Sequence, residues 1–496
     1  MNLTKKLFSY IVAIAMIFTL TAFAGGAVNA ANANTYHLSL QNNGKTAHTF
    51  EVYQIFTGDL SEGILSNVQW GNGVSEEGQT ALGDAAAKAE ALARSTDSLA
   101  AKTFAEELQN YLQNGTEKEV AANQTASIDG LAAGYYLVKD KASSQNQTNG
   151  AYTSYILKVV KDTTAATKLD VPTVEKKVQD KNDSTNETSG WQDSADYDIG
   201  DDVPYQITGS MPANIGDYTS YKYVFTDTMS KGLTFKTGSA KIMIGTTDVT
   251  EKFTENVTTN DDGSIVTWTC DNLKTAGVEL TPATKVVVTY KATLNTNAVI
   301  GSAGNPNEVN LTYSNNPNNG GEGETGKTPN DKNIVFTYKA VVNKVDQEQK
   351  SLKGAGFTLQ KKVNGEYTDV KSITAGEATT FEFTGLDDGK YKLIESTTPD
   401  GYNTITPIEF TITAEHDTTK DEPALISLSG NATTGKATFA PDKAAGSLTT
   451  EVVNKKGSTL PETGGMGTTL LYAVGGVLVA LAAAYIIISK KHEKAE

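Results

Sequence analysis

Asn307-Glu308-Val309-Asn310-Leu311-Thr312-Tyr313 alternates apolar with polar side chains along most of its length. A period of two marks a β-strand with one face packed and the other wet. On that reading Val309, Leu311 and Tyr313 face a core, and Asn307 faces it with them. Earlier in the chain, Tyr223-Val224-Phe225-Thr226-Asp227 places Asp227 on the face of Tyr223 and Phe225. Val174-Glu175-Lys176-Lys177-Val178 places Lys176 with Val174 and Val178. A lysine cation is costly to bury alone. An inward lysine, aspartate and asparagine on three strands therefore point to chemistry among themselves, with Lys177 and Asn315 as the alternative partners.

Working outward, short strands separated by turn signals such as Asp261-Asp262-Gly263 fill the chain. Residues 31–168 open with the alternating stretches 36–40 and 50–56, then show helical spacing at Leu82, Ala85, Ala89 and Leu92 and at Phe104, Leu108, Tyr111 and Leu112. Strands resume at 134–138 and 155–160. The small, polar stretch 163–170 reads as a linker. Residues 169–332 carry strands at 221–227, 264–269, 285–290 and 308–313, and close on 315–332, rich in Asn, Gly and acid, which reads as loop or linker. Residues 333–456 are again dense in short strands. The fold class is mainly β: antiparallel β-sandwiches in a row, the first with a helical insertion. Residues 130–140 (GLAAGYYLVKD) parallel 385–395 (GLDDGKYKLIE), which suggests a shared ancestor for the first and third regions.

The third region repeats the inward set with a different acid. Val342 and Lys344 share a face, Glu395 closes Tyr391-Lys392-Leu393-Ile394-Glu395, and Asn454 shares a face with Val452. In the first region Asp140 falls where Glu395 falls, yet the opening strand 36–40 has no lysine, so no internal crosslink is expected there.

Both ends carry targeting patterns. Residues 1–30 have a basic start, an apolar run and small residues at Val28-Asn29-Ala30, as in a cleaved signal peptide. Residues 457–496 hold Leu460-Pro461-Glu462-Thr463-Gly464, an apolar span at 470–488 long enough to cross a membrane, and a basic tail. Net charge is −16 over 496 residues with no basic patch, which excludes nucleic acid as a partner class. Cys270 is the single cysteine, so no internal disulfide can form, and it reads as a structural thiol. The four histidines show no metal-ligand spacing, so neither metal nor cofactor is expected, and no catalytic motif marks an enzyme.

The three-part C-terminus resembles the cell-wall sorting signal of Gram-positive bacteria. That resemblance implies a sortase cysteine attacking the Thr463 carbonyl and expelling Gly464, before an amine resolves the acyl-enzyme. The third region resembles the CnaB-type isopeptide domains of pilins and adhesins, which implies a Lys344 to Asn454 amide assisted by Glu395. The stretch 225–235 (FTDTMSKGLTF) is similar to the central domain of backbone pilins, which implies Lys176 to Asn307 assisted by Asp227. Across the whole chain the resemblance is to the Ig-like, Cna-type major pilins that sortases polymerise. It implies a cell-surface fibre whose Thr463 carbonyl joins a lysine of the next identical subunit. Aligning the last strand of the first region gives Lys161 as that lysine, with Lys168 the alternative, since no YPK-type motif is present. The implied partners are pilus and housekeeping sortases, minor pilins, peptidoglycan and host surface ligands. The other reading is a monomeric wall-anchored adhesin or a minor basal pilin.

Overall fold

The computed structural model describes residues 35–94, 98–159, 161–167, 170–457 and 466–492. The expected signal peptide at 1–30, the motif at 460–464 and Lys168 lie outside the described residues.

In the first region the 14-residue strand His48–Ser61 pairs with Gly134–Asp140, Ile64–Trp70 and Thr116–Val120. Three helices follow this sheet's hairpin: Glu76–Leu82, Ala85–Arg94 and Ser98–Leu108. Ser75 caps the first by accepting the Gly78 amide. Ala85, Ala89, Leu92, Phe104 and Leu108, spaced for one helical face, close over Ile55, Phe56 and Leu137. The expected linker 163–170 is corrected in part. Thr163–Ala166 is a strand lying parallel to Tyr36–Gln41, and Ala165 packs with Leu38 and Leu40. Its threonines are β-branched and suit a pleated surface, a signal that small-residue composition concealed.

The central region is two facing sheets. One contains Val174–Asn182, Asp202–Ser210 and Lys285–Leu294; the other contains Tyr223–Ser230, Gly263–Cys270 and Asn305–Ser314. Between them lie Tyr205, Tyr223, Phe225, Trp268 and Tyr313, all fully buried. Cys270 is a buried free thiol in this core.

The expected boundary between residues 332 and 333 shifts. Asp331–Phe336 is a strand of the central sheet, paired with Asn305–Ser314 and Ser194–Asp196. Successive side chains point to opposite faces. Val335 accordingly joins the central core, while Ile334 and Phe336 join the C-terminal core. One strand serves both cores, and the next sheet begins at Tyr338. That sheet sets Tyr338–Asp346 between Thr380–Leu386 and Ser447–Asn454; a five-stranded sheet containing Gly356–Val363 and Gly389–Thr397 completes the region.

Met466–His492 is a 27-residue helix. The side chains described in it, 472–486, include exposed Tyr472, Val477, Leu478, Val479 and Tyr485. Among the described residues no helix is long and apolar enough to cross a membrane. The span expected at 470–488 extends beyond the described side chains and enters below as a proposal.

Candidate functional site

Alternation in Val174–Asn182 turns Lys176 into the central core between Val174 and Val178. It is fully buried, as are Asp227 and Asn307. Lys176 comes from one sheet, and Asp227 and Asn307 from the other. Lys176 Nζ donates to Asp227 Oδ2 and, at 2.6 Å, to the Tyr290 hydroxyl. That hydroxyl donates to Asp227 Oδ2 at 2.8 Å and accepts from Asn307 Nδ2 at 2.9 Å. The aromatic rings of Tyr205 and Tyr290 each lie 5.1 Å from Nζ. Burial pushes the Lys176 amine below its ordinary range, opposed by the Asp227 charge. Burial likewise pushes Asp227 up, opposed by Lys176. Both shifts favour the neutral pair, an amine with a free lone pair beside a carboxylic acid. Asn307 Oδ1 and Asp227 Oδ1 have no hydrogen-bond partner. The arrangement can therefore support amine attack on a carboxamide carbon, with an acid at hand for the departing ammonia.

The alternative partners lie elsewhere. Lys177 pairs with Asp193 at 2.6 Å, and Asn315 donates to the Gln145 carbonyl at 2.8 Å. Tyr290 was not singled out from the sequence. Its hydroxyl touches all three groups, and exchange to Phe keeps the ring while deleting those contacts. Tyr290→Phe is expected to slow amide formation about tenfold, near the weight of one net hydrogen bond. Mass spectrometry of freshly folded protein at timed intervals reads this out; an unchanged rate would leave Tyr290 as packing alone.

In the C-terminal region Lys344 and Asn454 stand on adjacent parallel strands, and Glu395 reaches them from the facing sheet. All three are buried. Lys344 Nζ donates to the carbonyls of Val452 at 2.9 Å and Val345 at 3.1 Å. Asn454 Nδ2 donates to both Glu395 oxygens, at 2.9 and 3.1 Å, and Asn454 Oδ1 is unpartnered. Burial lowers the Lys344 amine to about 8, opposed by the charges of Glu395 and Asp346. The Ile405 amide donates to Glu395 Oε2 at 3.1 Å and fixes the carboxylate.

In the first region the partner of Asp140 is His48, whose Nδ1 lies 2.5 Å from Oδ1, with both side chains fully buried. The Thr153 amide donates to Asp140 Oδ2 at 2.6 Å. Strand pairing of Phe50 with Asp140 brings His48 there. His48 comes from the strand paired with that of Asp140, and its imidazole offers no amine for a crosslink. Lys161 is exposed between Ser154–Val159 and Thr163–Ala166.

Three family matches fall on these parts. Residues 199–317 match the Gram-positive pilin backbone subunit 2, Cna-B-like domain. Residues 339–423 match the SpaA prealbumin-like fold domain, and 452–495 the LPXTG cell wall anchor motif. Together they are the domain types of Gram-positive surface pilins followed by a cell wall anchor motif. Among individual relatives, the chain is 28% identical over 263 residues to the trypsin-resistant surface T6 protein of Streptococcus pyogenes serotype M6. That match spans 48% of this chain and 45% of the relative, less than half its length. The solved T6 backbone pilin of Streptococcus pyogenes superposes with a TM-score of 0.56 at 19% identity, covering 87% of this chain and all of that one. The full-length major pilin SpaD of Corynebacterium diphtheriae gives 0.50 at 18%, covering 86% and 99%. These two likenesses show a common fold.

Proposed function

We propose that this chain is the backbone subunit of a covalent cell-surface pilus. A membrane span at 470–488 would hold the secreted chain at the surface until a sortase acts. The enzyme breaks the Thr463–Gly464 amide, and the Thr463 acyl group passes to a lysine Nζ of the next subunit, with Lys161 the preferred acceptor. The last transfer places the fibre on peptidoglycan. The observation that carries this reading is the order of parts: a pilin-backbone domain at 199–317, a SpaA-type domain, then an LPXTG anchor. The exposure of Lys161, in the first region, supports it.

Within each subunit, the Lys176 and Lys344 amines displace ammonia from Asn307 and Asn454. Each amide would stand in for the disulfides that one cysteine cannot supply. The buried, partnered placement of both sets supports this step. In a host that supplies a pilus sortase, surface extracts are expected to show a ladder resistant to SDS, reduced to a single band by Lys161→Ala. A ladder that persists would move the acceptor to Lys168. A single band in the unaltered strain would overturn polymerisation and favour the monomeric adhesin.

A further inference from the structure

The junction of the central and C-terminal regions gathers a second group of polar side chains. Asp180 lies on Val174–Asn182, Asp196 on Ser194–Asp196, and His416 ends Ile408–His416. One ligand atom from each lies within 4.8 Å of the other two. Asp196 is 2% exposed, and its Oδ2 has no hydrogen-bond partner; nor does Asp180 Oδ1. No lysine neutralises them among the described residues, because the nearby Lys361 is engaged with Asp183, Asp198 and Asp387.

The imidazole's protonation follows from its partners. His416 Nδ1 is 2.7 Å from Ser194 Oγ, and that same oxygen bonds the Asp417 carbonyl. A carbonyl only accepts, so the single serine proton goes to Asp417. His416 must then donate Nδ1–H to the serine. The neutral ring turns the bare Nε2 lone pair toward Asp180 Oδ2, 3.9 Å away. That gap is too long for a hydrogen bond. Two ligands about 2.0–2.2 Å from one tetrahedral metal stand roughly 3.3–3.6 Å apart, so a shift of a few tenths of an ångström would let both reach one ion.

We infer that Asp180, Asp196 and His416 form a site for a borderline divalent transition-metal ion, zinc(II) by preference, at the junction of the two regions. The mixed nitrogen and oxygen set selects against calcium and magnesium, which take oxygen ligands. Ser194 is the outer partner that holds the ring's tautomer. Two ligands come from the central region and one from the C-terminal region, so the ion would tie the two together.

The test uses the full-length chain in detergent, stripped with EDTA and titrated with zinc(II) at neutral pH, with bound metal counted by elemental mass spectrometry. One zinc(II) per chain is expected, with a rise in melting temperature. His416→Gln and Asp196→Asn, checked for native circular dichroism without metal, should each weaken binding by at least about tenfold, and Ser194→Ala by about tenfold. His37→Gln, which alters an exposed His–Asp pair elsewhere, should bind as the unaltered chain does. No zinc(II) on the stripped chain, equal binding by His416→Gln and Asp196→Asn, or preference for calcium(II) would overturn the assignment.

Discussion

Exchanging Asp227 for alanine is expected to abolish the central crosslink and remove one of the two ammonia losses from the folded chain. The unaltered ectodomain should weigh about 34 Da less than its sequence, two ammonias at roughly 17 Da each; the variant should fall short of its own sequence mass by only one. Asp227 is the acid in the proposed reaction. It is fully buried, bonded to both Lys176 and Tyr290, and burial holds it above its ordinary range. Proton transfer from lysine to aspartate leaves a neutral amine and a carboxylic acid. The acid can protonate the nitrogen that leaves Asn307 as ammonia, while the amine nitrogen bonds to the carbonyl carbon. Without it the amine stays nucleophilic but the leaving group is poor, a loss of about 10²–10⁴ in rate. Stability falls as well. The proposed amide would close a loop of about 130 residues, worth around 5 kcal/mol by the chain-entropy account of crosslinks. For a domain of this size that is a drop of about 10–20 °C in melting temperature. Intact mass and calorimetry on the same sample check both halves. An alanine variant that still loses two ammonias would remove Asp227 from the mechanism.

Period-two alternation made much of the fold legible because it assigns faces within a strand. It put Lys176, Asp227, Asn307, Lys344 and Asn454 inward, and each is buried. Alternation says nothing about which strands become neighbours. Tyr290 sits on Lys285–Leu294, separated from Lys176 by the strand Asp202–Ser210, and only that pairing sets its hydroxyl against the amine. In the sequence it is one more core aromatic. The partner of Asp140 was hidden for the same reason, since His48 reaches it through register. At two expected linkers, composition and pattern conflict. Thr163–Ala166 is small and polar yet completes a sheet. Asp331–Phe336 follows a Gly- and Asn-rich loop, and its apolar run reads as the start of a new region. It is apolar on both faces because a core lies on each side. His416 drew no notice as a ligand because its companions lie more than two hundred residues upstream.

Asn454→Ala should reveal the buried amine that the proposed C-terminal crosslink would consume. With no carboxamide to attack, Lys344 remains a free amine, and the chain loses one ammonia instead of two. The amide it lacks would close a loop of about 110 residues, so a stability loss near 5 kcal/mol is again expected. The pH dependence separates this variant from a simple packing defect. In the folded state burial disfavours the charge of the free Lys344 amine and lowers its pKa to about 8. In the unfolded chain a lysine titrates at about 10.4. Below the folded value both states carry the proton, and the cost of burying the charge is felt in full. Between the two values the unfolded state holds a proton that the folded state has shed, so stability rises with pH. Above the unfolded value the cost is gone. With the proposed crosslink formed, this nitrogen in the unaltered chain is an amide and does not titrate. Other groups contribute alike to both proteins and cancel in the comparison. The melting-temperature gap between Asn454→Ala and the unaltered chain should therefore narrow as pH rises from 7 to 10. A gap that stays constant over that range would mean that the unaltered protein carries the same free amine, and the C-terminal crosslink would have to be abandoned.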